Sequence, residues 1–214
     1  MLRHNDWMTY SYDNVIKGPK KSKNDQLRIH IKKGEVPTIP YIDALYQNAK
    51  ILQDTFNQTQ DVLLSGGIDS EVIVRINKDL GIKQNLYTFR LEDNINYKDV
   101  NASVKLADEL NLKLNLIDFN ARKFVETEAE SLYKKTYMPL PYLIRTAWYE
   151  FLDNLPVVGN AEQYWRRELG SDYSKKSVWN HTWLEGDFSQ TIWSNYVNRP
   201  IIGEWYLYTP EPFF

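Results

Sequence analysis

No cysteine occurs among the 214 residues, which excludes a disulfide framework, a cysteine-ligated zinc site and a thiol nucleophile. Histidine is nearly as scarce. His4, His30 and His181 lie too far apart for a metal-ligand spacing, and each reads as an ordinary surface or satisfied side chain. No run approaches the roughly 18 apolar residues of a membrane span, and the amino-terminal residues lack a signal peptide's apolar core, so a cytoplasmic chain without a membrane partner is expected. With 26 Lys and Arg against 28 Asp and Glu, the formal net charge is −2. That provides no basic field for nucleic acid. Neither repeats nor low-complexity blocks divide the chain, and its length fits one domain. Aromatic residues, by contrast, are plentiful: 7 Trp, 15 Tyr and 8 Phe. Trp165, Trp179, Trp183, Trp193 and Trp205 crowd its later part. These rings are expected to pack a non-repetitive C-terminal segment onto the domain, with a ligand stack or a partner surface as the alternatives.

The most informative stretch is 61–81, DVLLSGGIDSEVIVRINKDLG. Val62, Leu63 and Leu64 make the short continuous apolar run of a strand buried on both faces. Gly66 and Gly67 allow the chain to turn off the strand end and leave N–H groups unshielded by Cβ atoms. Ile68, Val72, Ile73, Ile76 and Leu80 then recur on one helical face, and Gly81 stands where a left-handed cap belongs. The loop amides, the Ser65 and Ser70 hydroxyls and the positive end of the helix converge on a space suited to an anion. This is not a Walker A loop, because no Gly-Lys-Ser/Thr follows, and it is not the Gly-x-Gly-x-x-Gly dinucleotide fingerprint.

Periodicity and breakers predict a helix over 42–57, a strand over 61–65, the motif helix over 69–80, a strand over 85–91 and a helix over 97–110. A strand over 113–118, helices over 125–135 and 142–152, and a fourth core strand over 156–159 follow. Before them, 1–38 alternates short β-like pieces (7–16 and 27–31) with a lysine-rich turn over 17–23, read as solvated. The expected fold class is α/β: an open parallel sheet with crossover helices. A β-rich decoration (1–38) precedes the core (40–168), and an aromatic-rich segment (169–214) follows it. Ligands of such sheets collect at the carboxyl ends of the strands, which selects Ser65–Ser70, Phe89–Asp93, Asp118–Asn120 and Gly159–Glu162. Arg145, Arg166 and Arg167 could bring positive charge to a transferring phosphoryl group, or simply occupy the surface.

Ser65-Gly66-Gly67-Ile68-Asp69-Ser70 resembles the PP-loop of the N-type ATP pyrophosphatases, the adenine nucleotide alpha hydrolase-like, Rossmann-like group. Over about 40–168 the chain is similar to the synthetase domain of asparagine synthetase. Thr-Phe-Arg-Leu-Glu-Asp-Asn at a strand end, the helix opening Asn-Tyr-Lys-Asp-Val, and Pro139-Leu140-Pro141-Tyr142-Leu143 carry that likeness. The resemblance implies ATP and Mg²⁺ as cofactors. Ser65, Gly66, Gly67, Asp69 and Ser70 would hold pyrophosphate with the metal, Asp69 being a ligand of Mg²⁺, while Leu64, Phe89 and Arg90 would contact adenosine. Val158-Gly159-Asn160-Ala161-Glu162-Gln163 stands where the family carries Ser-Gly-Glu-Gly-Ala-Asp-Glu, so Gly159 and Glu162 become candidates for ATP and metal. The catalytic set implied is Asp69, Ser70 and Arg145.

The implied reaction is adenylation of a small-molecule carboxylate or other acceptor with release of pyrophosphate, followed by amide or C–N bond formation. No glutamine-hydrolysing domain accompanies the core, so nitrogen is expected as ammonia, an amine or a partner's product. A compact chain of this kind looks more like phage-encoded or accessory members than a housekeeping synthetase. The aromatic segment would close the pocket, or cover a partner protein or second copy. Two alternatives stand beside this reading: a catalytically silent nucleotide-binding or scaffolding module, and the phosphoadenylyl-sulfate reductase-like branch of the same fold, which lack of cysteine argues against.

Overall fold

A computed structural model describes residues 7–12, 15–16, 21–31, 38–138, 140–159, 164–167, 178–181, 189–203 and 205–209. Along the chain come β1 (Met8–Tyr12), β2 (Val15–Ile16), β3 (Leu27–Ile31), α1 (Tyr41–Phe56), β4 (Gln60–Leu63), α2 (Ile68–Asp79) and β5 (Gln84–Leu91). Then follow α3 (Tyr97–Glu109), β6 (Leu114–Phe119), α4 (Ala121–Thr127), α5 (Ala129–Thr136), α6 (Leu140–Trp148), β7 (Leu155–Val158), β8 (Tyr164–Arg167), β9 (Val178–His181) and α7 (Ser189–Val197). The first three strands form an antiparallel sheet in the order β2-β1-β3, and β8 pairs with β9.

The central sheet has the order β6-β5-β4-β7, every pairing parallel. The chain therefore steps outward from β4 to β6 and then returns past both to add β7 on the other flank. Side-chain alternation along each strand gives the sheet two apolar faces. Val62, Leu64, Leu86, Leu155 and Val157 meet α1, α2 and α3. Leu63, Phe89, Phe119 and their neighbours Tyr87, Ile117 and Val158 meet α4, α5, α6 and α7. Helices on opposite faces for the two directions of travel are what a uniform right-handed crossover requires. Each fully buried Leu, Val or Ile contributes roughly 1.5–3 kcal/mol by leaving water.

Specific polar contacts fix the strand ends opposite the loop. Asp61 is buried at the start of β4, where its carboxylate accepts hydrogen bonds from Asn85 Nδ2 (2.8 Å), Asn154 N (2.8 Å) and Asn154 Nδ2 (3.1 Å). These bonds dock the approach to β7 against β4. Helix α2 ends as its sequence predicts: Gly81 has φ +67°, and the Ile82 amide donates back to the Asn77 carbonyl.

The segment after α7 also joins the core. Ile202 adds a single parallel bridge beyond β7, donating to the Pro156 carbonyl and accepting from the Val158 amide. Trp205 is completely buried. Asn48 of α1 grips this stretch at two points, donating to the Trp205 carbonyl and accepting from the Thr209 amide, both at 2.8 Å. Trp193, Trp205, Tyr206 and Tyr208 of this region pack onto the domain, while Tyr196 stacks on Trp193 and stays exposed. The side chains of Trp165, Trp179 and Trp183 lie outside the described set, as does the lysine-rich turn over 17–20. Among the described residues no helix is long and apolar enough to cross a membrane.

Candidate functional site

Leu63 pairs with Val158, so the next residues of the two strands, Leu64 and Gly159, emerge side by side. This is the point where the direction of strand addition reverses, the crevice at which open parallel sheets bind ligands. The loop 65–70 and the β7 end meet there at close range. A Cβ added to Gly159 would lie 2.9 Å from the Ser70 amide nitrogen and 3.0 Å from the Asp69 carbonyl carbon. Glycine is required at 159 because helix backbone already occupies the space.

Within the loop the two glycines have different jobs. Gly66 takes φ +78°, and a side chain there would overlap the Asp99 backbone at the start of α3, with its Cβ 2.8 Å from Asp99 Cα. Gly67 is the N-cap of α2 in extended geometry, φ −92°, ψ 161°, with no side-chain cap hydrogen bond. Among the described residues, a Cβ at Gly67 would meet only Ser65 Oγ, at 3.5 Å. Nothing else among them crowds it, and no side chain caps the first turn of α2, a helix start of the kind that can receive an anion.

Ser70 holds this shape from below. Its buried hydroxyl donates to the Gly67 carbonyl (3.1 Å), accepts from the Ser65 amide (3.2 Å) and lies 3.2 Å from Ser65 Oγ. The Ser65 hydroxyl also receives a long contact from the Gly67 amide, 3.4 Å. Ser70 is therefore a staple across the loop, whereas Ser65 is exposed at its lip. Ile68, expected on the apolar face of the helix, is instead 73% exposed beside the loop, and the buried stripe consists of Ile73, Val74 and Ile76.

Asp69 is half-buried with no cation beside it among the described residues, and loss of hydration raises its carboxyl above the usual range. Two tyrosines surround it. Tyr206, 7% exposed, donates its hydroxyl to the Asp69 backbone carbonyl at 2.8 Å. Burial, then the Asp69 charge, then Tyr41 push the Tyr206 phenol far above its ordinary value, so it stays a neutral donor. The Tyr41 phenol is raised by burial and by Asp69. Neither tyrosine is part of the motif, and a contact spanning 137 residues leaves no local pattern in the sequence.

The other expected site residues fall differently. Leu64 is buried, 2% exposed, and its carbonyl accepts from Thr88 Oγ1 (2.7 Å) and Ser103 Oγ (3.2 Å) while its amide donates to Tyr87. Both backbone groups are committed, so the expected adenosine contact by Leu64 is corrected: the residue supports the loop from inside the sheet. The ring of Phe89 stacks on Trp148, centroids 4.7 Å apart and 8° from parallel, and meets Phe119 and Phe151 edge-on. It belongs to the core, and its carbonyl accepts from Asn96 Nδ2 at 2.8 Å. Arg90 is half-buried at the strand end and held by Asp118 through Nε (2.5 Å) and Nη2 (2.8 Å). Arg145 stands exposed on α6 over the Tyr142 ring, 6.0 Å from its centroid. Helix α6 packs on the sheet face opposite α2, and the ring contact with Tyr142 is on its own helix. Glu162 and the side chains of Arg166 and Arg167 lie outside the described residues.

No protein family model matches the sequence, and no curated protein sequence matches it. Among solved structures, NMN synthetase from Francisella tularensis superposes on 57% of this chain and 55% of its own, at 17% identity and TM-score 0.42. The glutamine-dependent NAD+ synthetase from Acinetobacter baumannii, solved with ADP, covers 64% of this chain and 31% of its own, at 16% identity and TM-score 0.40. The predicted subunit of a tRNA methyltransferase from Methanocaldococcus jannaschii covers 67% and 66%, at 24% identity and TM-score 0.40. The chain thus spans about half, or less, of the first two proteins. Its own strand order and crossovers establish the fold class, an open four-stranded parallel α/β sheet carrying a glycine-rich loop at its switch point.

Proposed function

We propose that the loop between β4 and α2 binds the phosphates of ATP together with Mg²⁺, and that the chain transfers the adenylyl group to an acceptor. The observation that supports this reading is the pairing of a glycine-lined helix start that no side chain caps with a carboxylate, Asp69, that has no cation beside it among the described residues. Amides and helix dipole favour an anion there, but Asp69 repels one, and a divalent cation between them resolves the conflict. The donor set fits magnesium, which takes oxygen ligands and few protein carboxylates. Asp69 would hold it, with Glu162 as the proposed second carboxylate, and the ion would neutralise charge on the departing pyrophosphate. The Ser65 hydroxyl and the Gly66 and Gly67 amides orient the phosphate chain.

In the reaction proposed, an acceptor carboxylate oxygen forms a bond to the α-phosphorus as the bond to pyrophosphate breaks. An amine nitrogen then attacks the activated carbonyl, AMP leaves with the electron pair of its C–O bond, and the nitrogen loses a proton to solvent. Such chemistry asks chiefly for positioning and charge neutralisation, which suits a site without histidine or cysteine.

The test is to incubate the protein with Mg-ATP, aspartate and ammonium beside Asp69→Asn and to identify the nucleotide products. AMP with pyrophosphate, lost in the variant, supports the reading; ADP with phosphate overturns it. Mg-ATP binding without turnover across a panel of carboxylates and amines would favour the non-catalytic module.

A further inference from the structure

At the far edge of the sheet, the carboxyl end of β6 opens into a cavity of about 650 Å³ between α4, α5, α6 and α7. This volume lies within the roughly 300–1,000 Å³ of small-molecule sites. Its floor is aromatic: Phe119, Phe124 and Trp193 line it and are buried. Phe151 forms part of the wall with 47% of its surface exposed, apolar area that the fold leaves uncovered. The rim is charged. Lys123 and Lys135 stand there with Glu128 and Glu150, all four exposed, and none is ion-paired within the described residues.

Neighbouring groups narrow the ligand chemistry. The first amides of α4 are already satisfied: Glu92 accepts from Ala121 and Arg122, both at 2.9 Å, and Asn120 accepts from Lys123 at 2.7 Å. The nearby Arg90 is held by Asp118. Among the described residues that line the cavity no amide cradle or arginine awaits a phosphate, and a polyanion would meet Glu128 and Glu150. A rim carrying both charges around an aromatic floor matches a molecule with a flat apolar body and both an ammonium and a carboxylate.

We propose that this cavity binds a free α-amino acid with an aromatic side chain. The ring lies on the Phe119–Phe124–Trp193 floor, the carboxylate turns toward Lys123 and Lys135, and the ammonium turns toward Glu128 and Glu150. The assignment is independent of the nucleotide reading of the loop at 65–70, so absence of AMP formation leaves it standing.

Calorimetric titration of the full chain with L-tryptophan tests it, beside tryptamine, which lacks the carboxylate, and indole-3-propionate, which lacks the ammonium. L-Tryptophan should bind, each analogue about tenfold more weakly, since each loses one charge-assisted hydrogen bond. Saturating Mg-ATP should not displace it. Lys135→Glu, on an exposed helix surface, and Ala147→Leu, which narrows the cavity, should each weaken binding about tenfold. Melting curves check both folds, and Lys135→Glu carries the test if Ala147→Leu does not fold. The proposal is overturned if tryptophan, tyrosine and phenylalanine all give no heat at millimolar concentration. It is also overturned if indole-3-propionate binds as tightly as tryptophan, if Mg-ATP competes, or if the folded variants bind like the parent.

Discussion

The two glycines of the loop allow stability and ligand binding to be separated. Gly66→Ala forces a methyl-bearing residue to φ +78°, at a cost of about 1–2 kcal/mol. Its Cβ would also lie 2.8 Å from Asp99 Cα and 3.0 Å from Asp99 C. Both contacts are backbone, so the first turn of α3 must move, adding roughly 1–3 kcal/mol. The sum, about 2–5 kcal/mol, corresponds to a fall in Tm on the order of 10 °C for a chain of this size. Gly67→Ala is a different perturbation. Its φ of −92° suits alanine, and its only near neighbour among the described residues is Ser65 Oγ at 3.5 Å. A weaker N-cap, costing up to about 1 kcal/mol, is offset by a similar reduction in unfolded-chain entropy. Tm should stay within about 2 °C of the parent. The added methyl nevertheless stands in the proposed phosphate space, and Mg-ATP affinity should fall at least about tenfold, ~1.4 kcal/mol. Thermal melts followed by circular dichroism, with calorimetric titration of Mg-ATP, read both quantities. A Gly66→Ala protein as stable as the parent would refute the tight approach of α3. A Gly67→Ala protein that folds and binds Mg-ATP normally would refute the cradle.

Further outcomes follow from the surroundings of the loop. Asn48→Ala leaves the Trp205 carbonyl and the Thr209 amide without their buried partner; about 2–4 kcal/mol should be lost, visible as a lower urea midpoint with little change in m. Asp69→Asn should abolish Mg²⁺-dependent ATP binding yet raise Tm slightly at neutral pH. Burial lifts the Asp69 carboxyl above its unfolded value, so its penalty is absent below the unfolded pKa and grows as pH rises through the folded one. The variant's Tm advantage should accordingly vanish in acid, and an advantage that persists there would contradict the assignment. Tyr206→Phe removes the donor to the Asp69 carbonyl and should cost about 1 kcal/mol, measured by denaturant titration.

Regular elements were legible in the sequence wherever burial imposed a period. The four core strands were read to within a residue or two of β4, β5, β6 and β7, because apolar runs there are dictated by helices on both faces. The motif helix and its Gly81 cap were legible for the same reason. The predicted helix over 125–135 is instead two, α4 and α5, meeting at Glu128, whose backbone at φ −124° leaves helical geometry. That over 142–152 starts earlier and ends in a 3-10 turn at Tyr149–Phe151. Helix α7 and the β8–β9 pair had no expectation at all, since their aromatic-rich sequence has no clear period. At the candidate site, the strand–turn–helix was readable but the part each of its residues plays was not. Only the fold distinguishes Gly66, pressed against α3, from Gly67, uncrowded among the described residues, or shows Ser70 facing inward and Leu64 fully bonded. Tyr41, Asn48 and Tyr206 escaped because nothing near them in sequence marks the residues they touch.

The bond from Tyr206 to Asp69 also sets an order of events in time. The ribosome makes residues 65–70 first, and the tyrosine that braces them comes 137 positions later. At about 5–20 residues per second, the nascent loop waits on the order of ten seconds for that brace and for the Ile202 bridge along β7. Through that interval the first turn of α2 lacks its downstream support, and the half-made sheet is exposed to pairing with another copy. Stalled chains bearing the loop but not residues 201–209 are the species in which to look for misassembly.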